Sequence, residues 1–139
     1  MRSNLKNSSN YTGEMTTMLG MFNNKLIGFF EDLSDTFPEE KEIKGALEAI
    51  QGAKKINPRL ILDMFVLHVQ KHLHDAIMKE DETAVIEFAK RSINAQFNEM
   101  SPALMIFDKH WPNLSDQNRQ AIWKHLKVLV LLAEKAIAK

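Results

Sequence analysis

The stretch Met15–Ser34, MTTMLGMFNNKLIGFFEDLS, decides the fold class. Its apolar side chains, Met15, Met18, Leu19, Phe22, Leu26, Phe29, Phe30 and Leu33, recur at three- and four-residue steps. An α-helix turns once every 3.6 residues or so, and that spacing gathers them into one broad stripe; a half-buried strand would alternate at every second residue instead. The periodicity predicts a first helix from about Thr12 to Ser34, whose stripe must be covered by other helices.

Working outward, the same pattern continues to the C-terminus, punctuated by helix-start signals. Thr36 as a cap with Pro38 at the first helical position, and Glu39 and Glu40 at the positive end of the dipole, predicts a second helix ending near Lys55. Asn57-Pro58 repeats the device and opens a third helix to about Lys79. Asp81 caps a fourth, carrying Val85, Ile86, Phe88, Ala89, Ile93 and Phe97. Ser101-Pro102 is either a fresh start or a kink, because an interior proline removes a hydrogen bond and crowds the preceding turn. After His110-Trp111-Pro112 a short loop leads to Ser115, which caps a last helix from Asp116 to about Ala138. There Ile122, Leu126, Leu129, Ala133, Ala136 and Ile137 share a face, with Trp123 and Val130 at its edge, while Val128, Leu131 and Leu132 fall outside it. That helix is either the central one or an oligomer contact. No hairpin signal or solenoid period interrupts the pattern. The expected fold is all-α, a compact bundle of five to six mostly antiparallel helices. Residues 1–11, rich in Ser and Asn, read as a flexible arm, and residues 12–139 as a single helical domain.

Composition narrows the function. Of 139 residues 45% are hydrophobic, enough for one core without cross-links. Eighteen basic side chains balance eighteen acidic ones, so no whole-molecule field draws the chain to nucleic acid or anionic lipid. The absence of cysteine removes disulfides and thiolate chemistry. The N-terminus lacks the apolar stretch of a secretory signal, and Asn7, Asn10 and Asn113 then read as chance sequons. The densest apolar run, Val128 to Ala133, is far short of the roughly 20 residues a bilayer span needs, so no membrane association is expected. The expected location is intracellular.

Few residues suggest chemistry. His68, His72 and Asp75 fall on one helical stripe and are the best metal candidates, two imidazoles and a carboxylate being able to ligate zinc. The glutamate that follows the first histidine in metalloprotease helices is replaced by Val69, however, and a surface cluster is the preferred reading, with no metal or other cofactor expected. Carboxylates at Glu31, Asp32, Asp35, Glu39, Glu40 and Glu42 lie at helix ends, where solvated acids are ordinary. Lys54, Lys55 and Arg59 form the best basic cluster at a helix start, the candidate nucleic-acid contact. Met15 and Met18 with Val128, Leu131 and Leu132 are the candidate protein interface, Met being an adaptable gripping side chain. Trp111 and Trp123 read as core anchors.

With the helices placed, Phe29-Phe30-Glu31-Asp32-Leu33 through Phe37-Pro38-Glu39-Glu40-Lys41, then Ala53-Lys54-Lys55-Ile56-Asn57-Pro58-Arg59, and finally Phe107-Asp108-Lys109-His110-Trp111 with Ile122-Trp123-Lys124-His125-Leu126, resemble short helical proteins encoded by large double-stranded DNA viruses of algae and protists. The resemblance covers residues 22–138 and consists of caps and core positions, so it carries over no site residues. It implies a protein made in infected cells, in the virion or assisting its assembly or regulation. Such a protein acts by contact with protein or genome, the resemblance choosing neither, and the group has no established enzymatic role. The balanced charge and the apolar C-terminal helix make protein contact, including self-association, the expected mode, with nucleic acid as the alternative and a metal-dependent enzyme as the further one.

Overall fold

The structure, a computed structural model, describes residues 17–95 and 98–138. The arm expected at residues 1–11, Met15 and Phe97 lie outside the described residues. In chain order the elements are α1 (Met18–Thr36), α2 (Lys41–Ile56), α3 (Pro58–Phe65), a π-helical turn (Val66–Gln70), α4 (Lys71–Met78), α5 (Glu82–Ala95) and α6 (Ser101–Met105). A second π turn (Ile106–His110), a 3-10 turn (Trp111–Asn113) and α7 (Asp116–Ala138) complete the chain. Among the described residues every regular element is helical, and the fold is an all-α bundle.

The helices begin where local chemistry satisfies their free N–H groups. Thr17 Oγ1 accepts from the Gly20 N–H at 2.9 Å and Asn57 Oδ1 from Arg59 N–H at 3.1 Å, with Pro58 following at the first position. Asp81 Oδ1 accepts from Ala84 N–H, and Ser115 Oγ from Asn118 N–H, each at 3.1 Å. The second helix starts later than the sequence suggests. Thr36 completes α1, its hydroxyl donating to the Asp32 carbonyl at 2.8 Å, and Pro38 sits in a turn closed by Glu40 N–H on the Phe37 carbonyl. Phe37 is buried, and anchoring that ring inside moves the start of α2 to Lys41. Ser101-Pro102 is a fresh start. Asn98 Oδ1 accepts from Met100 N–H at 2.8 Å, Ser101 Oγ accepts from Asn98 N–H at 2.9 Å, and Pro102 lies in the first turn of α6, where its missing N–H costs nothing.

The first helix behaves as its stripe requires. Phe22, Leu26, Phe29, Phe30 and Leu33 are buried, and α1 packs against α2, α3 and α7. Each such side chain contributes about 1.5–3 kcal/mol on leaving water. Phe22 meets Phe65 edge-on, with ring centroids 5.1 Å apart. At the other end Phe107 stacks on Trp111 at 4.5 Å and Trp123 closes the cluster at 5.4 Å from Trp111, so both tryptophans are core anchors as expected. Arg119 fixes this end by donating from Nε and Nη2 to the Trp111 carbonyl, at 3.1 and 2.9 Å, with its guanidinium over the Trp111 ring. In α7, Trp123 and Val130 are fully inside, whereas Ile137, expected on the buried face, is 45% exposed near the end of the helix.

The third helix departs from expectation. A π turn carries one extra residue within a helix, and Val66–Gln70 is one. It swings Gln70 toward α7, where Nε2 donates to the Val130 carbonyl at 3.2 Å, joining two helices far apart in sequence. At the C-terminus of α4, Glu80 takes a left-handed conformation (φ 55°) and Asp81 N–H returns to the Ala76 carbonyl at 2.8 Å. That position ordinarily favours glycine.

Candidate functional site

The imidazoles proposed for a metal do not converge. His68 lies within the π turn and His72 and Asp75 on the helix that follows it, so the four-residue step from His68 to His72 crosses a widened turn instead of a regular α-helical one. His68 Nδ1 lies 3.4 Å from Asn98 Nδ2, His72 stacks on Phe88 at 5.0 Å, and Asp75 Oδ1 faces His74 Nδ1 at 3.1 Å. Three side chains that one helix would have aligned thus take three separate partners.

The basic cluster is divided in the same way. Lys54 and Lys55 line an open groove of about 900 Å³ together with Thr17, Asn24 and Pro58, and Lys54 Nζ donates to Asn24 Oδ1 at 3.1 Å. Arg59 instead pairs with Asp63, at 3.5 Å one turn along α3. Of the proposed interface, Met18 and Leu132 are partly buried against the core. Val128 and Leu131 face outward and line a groove of about 480 Å³ with Glu80, Gln117, Gln120, Ala121, Lys124 and Lys127. Leu131 is 42% exposed. The rim is fixed by Lys127 Nζ donating to Glu80 Oε2 at 2.6 Å, which holds the Glu80 carboxyl below the usual carboxylate range. The left-handed Glu80 is thereby aimed at α7.

Two arrangements were not anticipated. Glu40, expected to be a solvated carboxylate, is only 7% exposed. His110 Nε2 donates to its Oε2 at 2.6 Å and Lys109 Nζ to the same oxygen at 2.7 Å, while the His110 ring stacks on Phe37 at 4.5 Å. A carboxylate only accepts, so Nε2 carries the hydrogen. The lysine and then the histidine hydrogen bonds hold the Glu40 carboxyl below its ordinary value, against the opposing effect of burial. Glu39, Glu40 and His110 also bring potential ligand atoms within 4.8 Å of one another. The Lys109 ammonium already occupies this carboxylate, so the arrangement works as a clasp between the start of α2 and the second π turn.

The second is His125, whose Nε2 stands 3.1 Å from Asp32 Oδ2 and whose ring leans on Phe29 at 5.1 Å. Burial first, and then the Lys25 ammonium, push the imidazole below its ordinary value, against the opposing pull of Asp32. A sequence reader had one signal for it, the four-residue step from Ala121 to His125 on a helix otherwise apolar inside. Nothing in sequence tied either histidine to its carboxylate, since Glu40 and His110 are 70 residues apart.

Outside α7, Leu67 in the first π turn is 53% exposed and Leu60 in α3 is 41% exposed. No helix among the described residues is long and apolar enough to cross a membrane. No protein-family model, no curated protein and no solved structure matches the chain.

Proposed function

We propose that the chain is a non-catalytic helical interaction protein of a large DNA virus, a virion component or an assembly or regulatory factor inside the infected cell, which associates with itself through the outer face of α7. The viral origin rests on the resemblance of the capped and core segments. The self-association rests on one observation: α7 buries Ile122, Leu126, Leu129 and Ala133 on one side and still presents Val128 and Leu131 over an open groove on the other.

The outward line of α7 runs Gln117, Ala121, Lys124, Val128, Leu131, Lys135, in alternating four- and three-residue steps. That is the seam on which two helices pack knobs into holes. Turned about a twofold axis, the bulky Leu131 of one copy meets the small Ala121 of the other, and the reciprocal contact forms at the same time. Sedimentation velocity across a concentration series tests this. The wild type should dimerise, and Leu131→Glu should weaken association at least about tenfold, because two buried leucines are lost per dimer. Leu67→Glu on α3's side of the molecule should leave it unchanged. A wild type that stays monomeric at all concentrations, or equal effects of the two substitutions, would refute the assignment.

A second reading is favoured by the groove that Lys54 and Lys55 line: contact with a nucleic-acid backbone, which Arg59, next in sequence to the lining Pro58, would have to leave Asp63 to join. Binding that weakens with salt, at a log–log slope of about −0.9 per phosphate, would support it, and salt-independent association would leave the first reading alone.

A further inference from the structure

A polar strap ties the last turns of α1 to α7. His125 reaches across from α7, its ring leaning on Phe29 at 5.1 Å and its Nε2 standing 3.1 Å from Asp32 Oδ2. A carboxylate only accepts, so Nε2 carries the hydrogen and Nδ1 is the bare nitrogen. That Nδ1 is buried and has no hydrogen-bond partner among the described residues. The same residue lines a cleft of about 260 Å³ between the two helices, where Phe37 and Ile122 supply apolar wall.

This geometry suits the neutral ring. A neutral imidazole has a single N–H, and Asp32 accepts it. A proton added at Nδ1 makes a second donor where the structure offers no acceptor, and a buried donor without an acceptor is costly. The charged neighbours do not remove that cost. Asp32 on α1 attracts the imidazolium, Lys25 on α1 and Lys124 on α7 repel it, and Asp35 lines the same cleft. Burial first, and then Lys25, outweigh the pull of Asp32 and hold the imidazole below its ordinary value of 6.5.

We propose that His125 is an acid-operated latch: on gaining a proton its ring leaves the slot over Phe29 for the cleft, where water solvates both N–H groups, and the last turns of α1 are freed from α7. A released imidazole takes up its proton near the ordinary value, the latched one only at lower pH. The latched state is therefore fully favoured well above 6.5, loses stability as pH falls toward the latched value, and changes no further below it.

NMR of the His125 ring in full-length protein, between about pH 8 and pH 5, reads the latch directly. The neutral ring should be the Nε2–H tautomer, with a midpoint below 6.5. Amide hydrogen exchange at residues 29–36, corrected for its intrinsic pH dependence, should quicken by about fivefold or more as the ring is protonated, the low end for a buried donor left without an acceptor. Residues 46–52 of α2 should not follow. His125→Gln keeps a donor for Asp32 and does not titrate, so the step at residues 29–36 should vanish. Lys25→Gln removes a repelling charge without touching the strap and should raise the midpoint, which keeps the test decisive should the glutamine variant fail to fold. A neutral ring protonated on Nδ1, a midpoint at or above 6.5, exchange that stays flat through the ring's transition, a step that persists in His125→Gln, or a midpoint unmoved in Lys25→Gln would each overturn the latch.

Discussion

Replacing Glu40 by alanine removes the one carboxylate on which Lys109 and His110 converge, at 2.7 and 2.6 Å. A hydrogen bond to a charged group contributes about 1.5–3 kcal/mol when its partners are withdrawn from water. The two bonds do not count equally here. The Lys109 side chain is 56% exposed and regains water when its partner is lost, while the His110 side chain is only 20% exposed and does not. The His110 bond therefore dominates, and Glu40→Ala should cost on the order of 2 kcal/mol, or a melting temperature lower by roughly 6 °C in a chain of this size. The acid dependence is more specific. The Glu40 carboxyl is held below its ordinary value of 4.5, so its contribution is complete above the unfolded-state pKa and is lost as pH falls through the lower, folded-state one. The gap in stability between wild type and the near-isosteric Glu40→Gln should be full at pH 7 and close progressively below about pH 4. Urea unfolding of both proteins at several pH values measures it. A gap that is the same at pH 7 and pH 3, or a loss under about 0.5 kcal/mol for Glu40→Ala, would show that the clasp does not contribute as argued.

Three further perturbations follow from the fold. Phe22→Ala, at a side chain with no exposure that packs on Phe65, should cost about 3–5 kcal/mol in chemical denaturation, and a loss near 1 kcal/mol would mean that the contact of α1 with α3 is looser than its geometry. Asn57→Ala removes the cap of α3 and should cost about 1 kcal/mol by the same measurement. Glu80→Gly relieves the left-handed backbone while surrendering the Lys127 contact, whereas Glu80→Ala keeps the strain and surrenders the contact too. Thermal melts should rank glycine above alanine at this site, and the reverse order would mean that the backbone conformation carries no cost.

The class of fold was legible from the residues alone, because its determinants are local. Apolar steps of three and four residues through Phe22, Leu26, Phe30 and Leu33 specify a helix with one buried side whatever lies opposite. The caps at Asn57, Asp81 and Ser115 act within three residues of themselves and were legible for the same reason. Tertiary structure decided what depended on partners distant in the chain. Where α2 begins was settled by the burial of Phe37, and where the third rod widens by a turn that lets Gln70 reach Val130. His68 falls inside that widened turn and His72 beyond it, and the two rings take different neighbours, Asn98 and Phe88. Tertiary structure likewise turned Glu40 from an expected solvated acid into a buried clasp, and pushed the His125 imidazole below its ordinary value, chiefly by burial, beside Asp32. Periodicity encodes which side of a helix is apolar, whereas the charge state and use of a polar side chain depend on which distant groups the packed helices bring within about 3 Å of it.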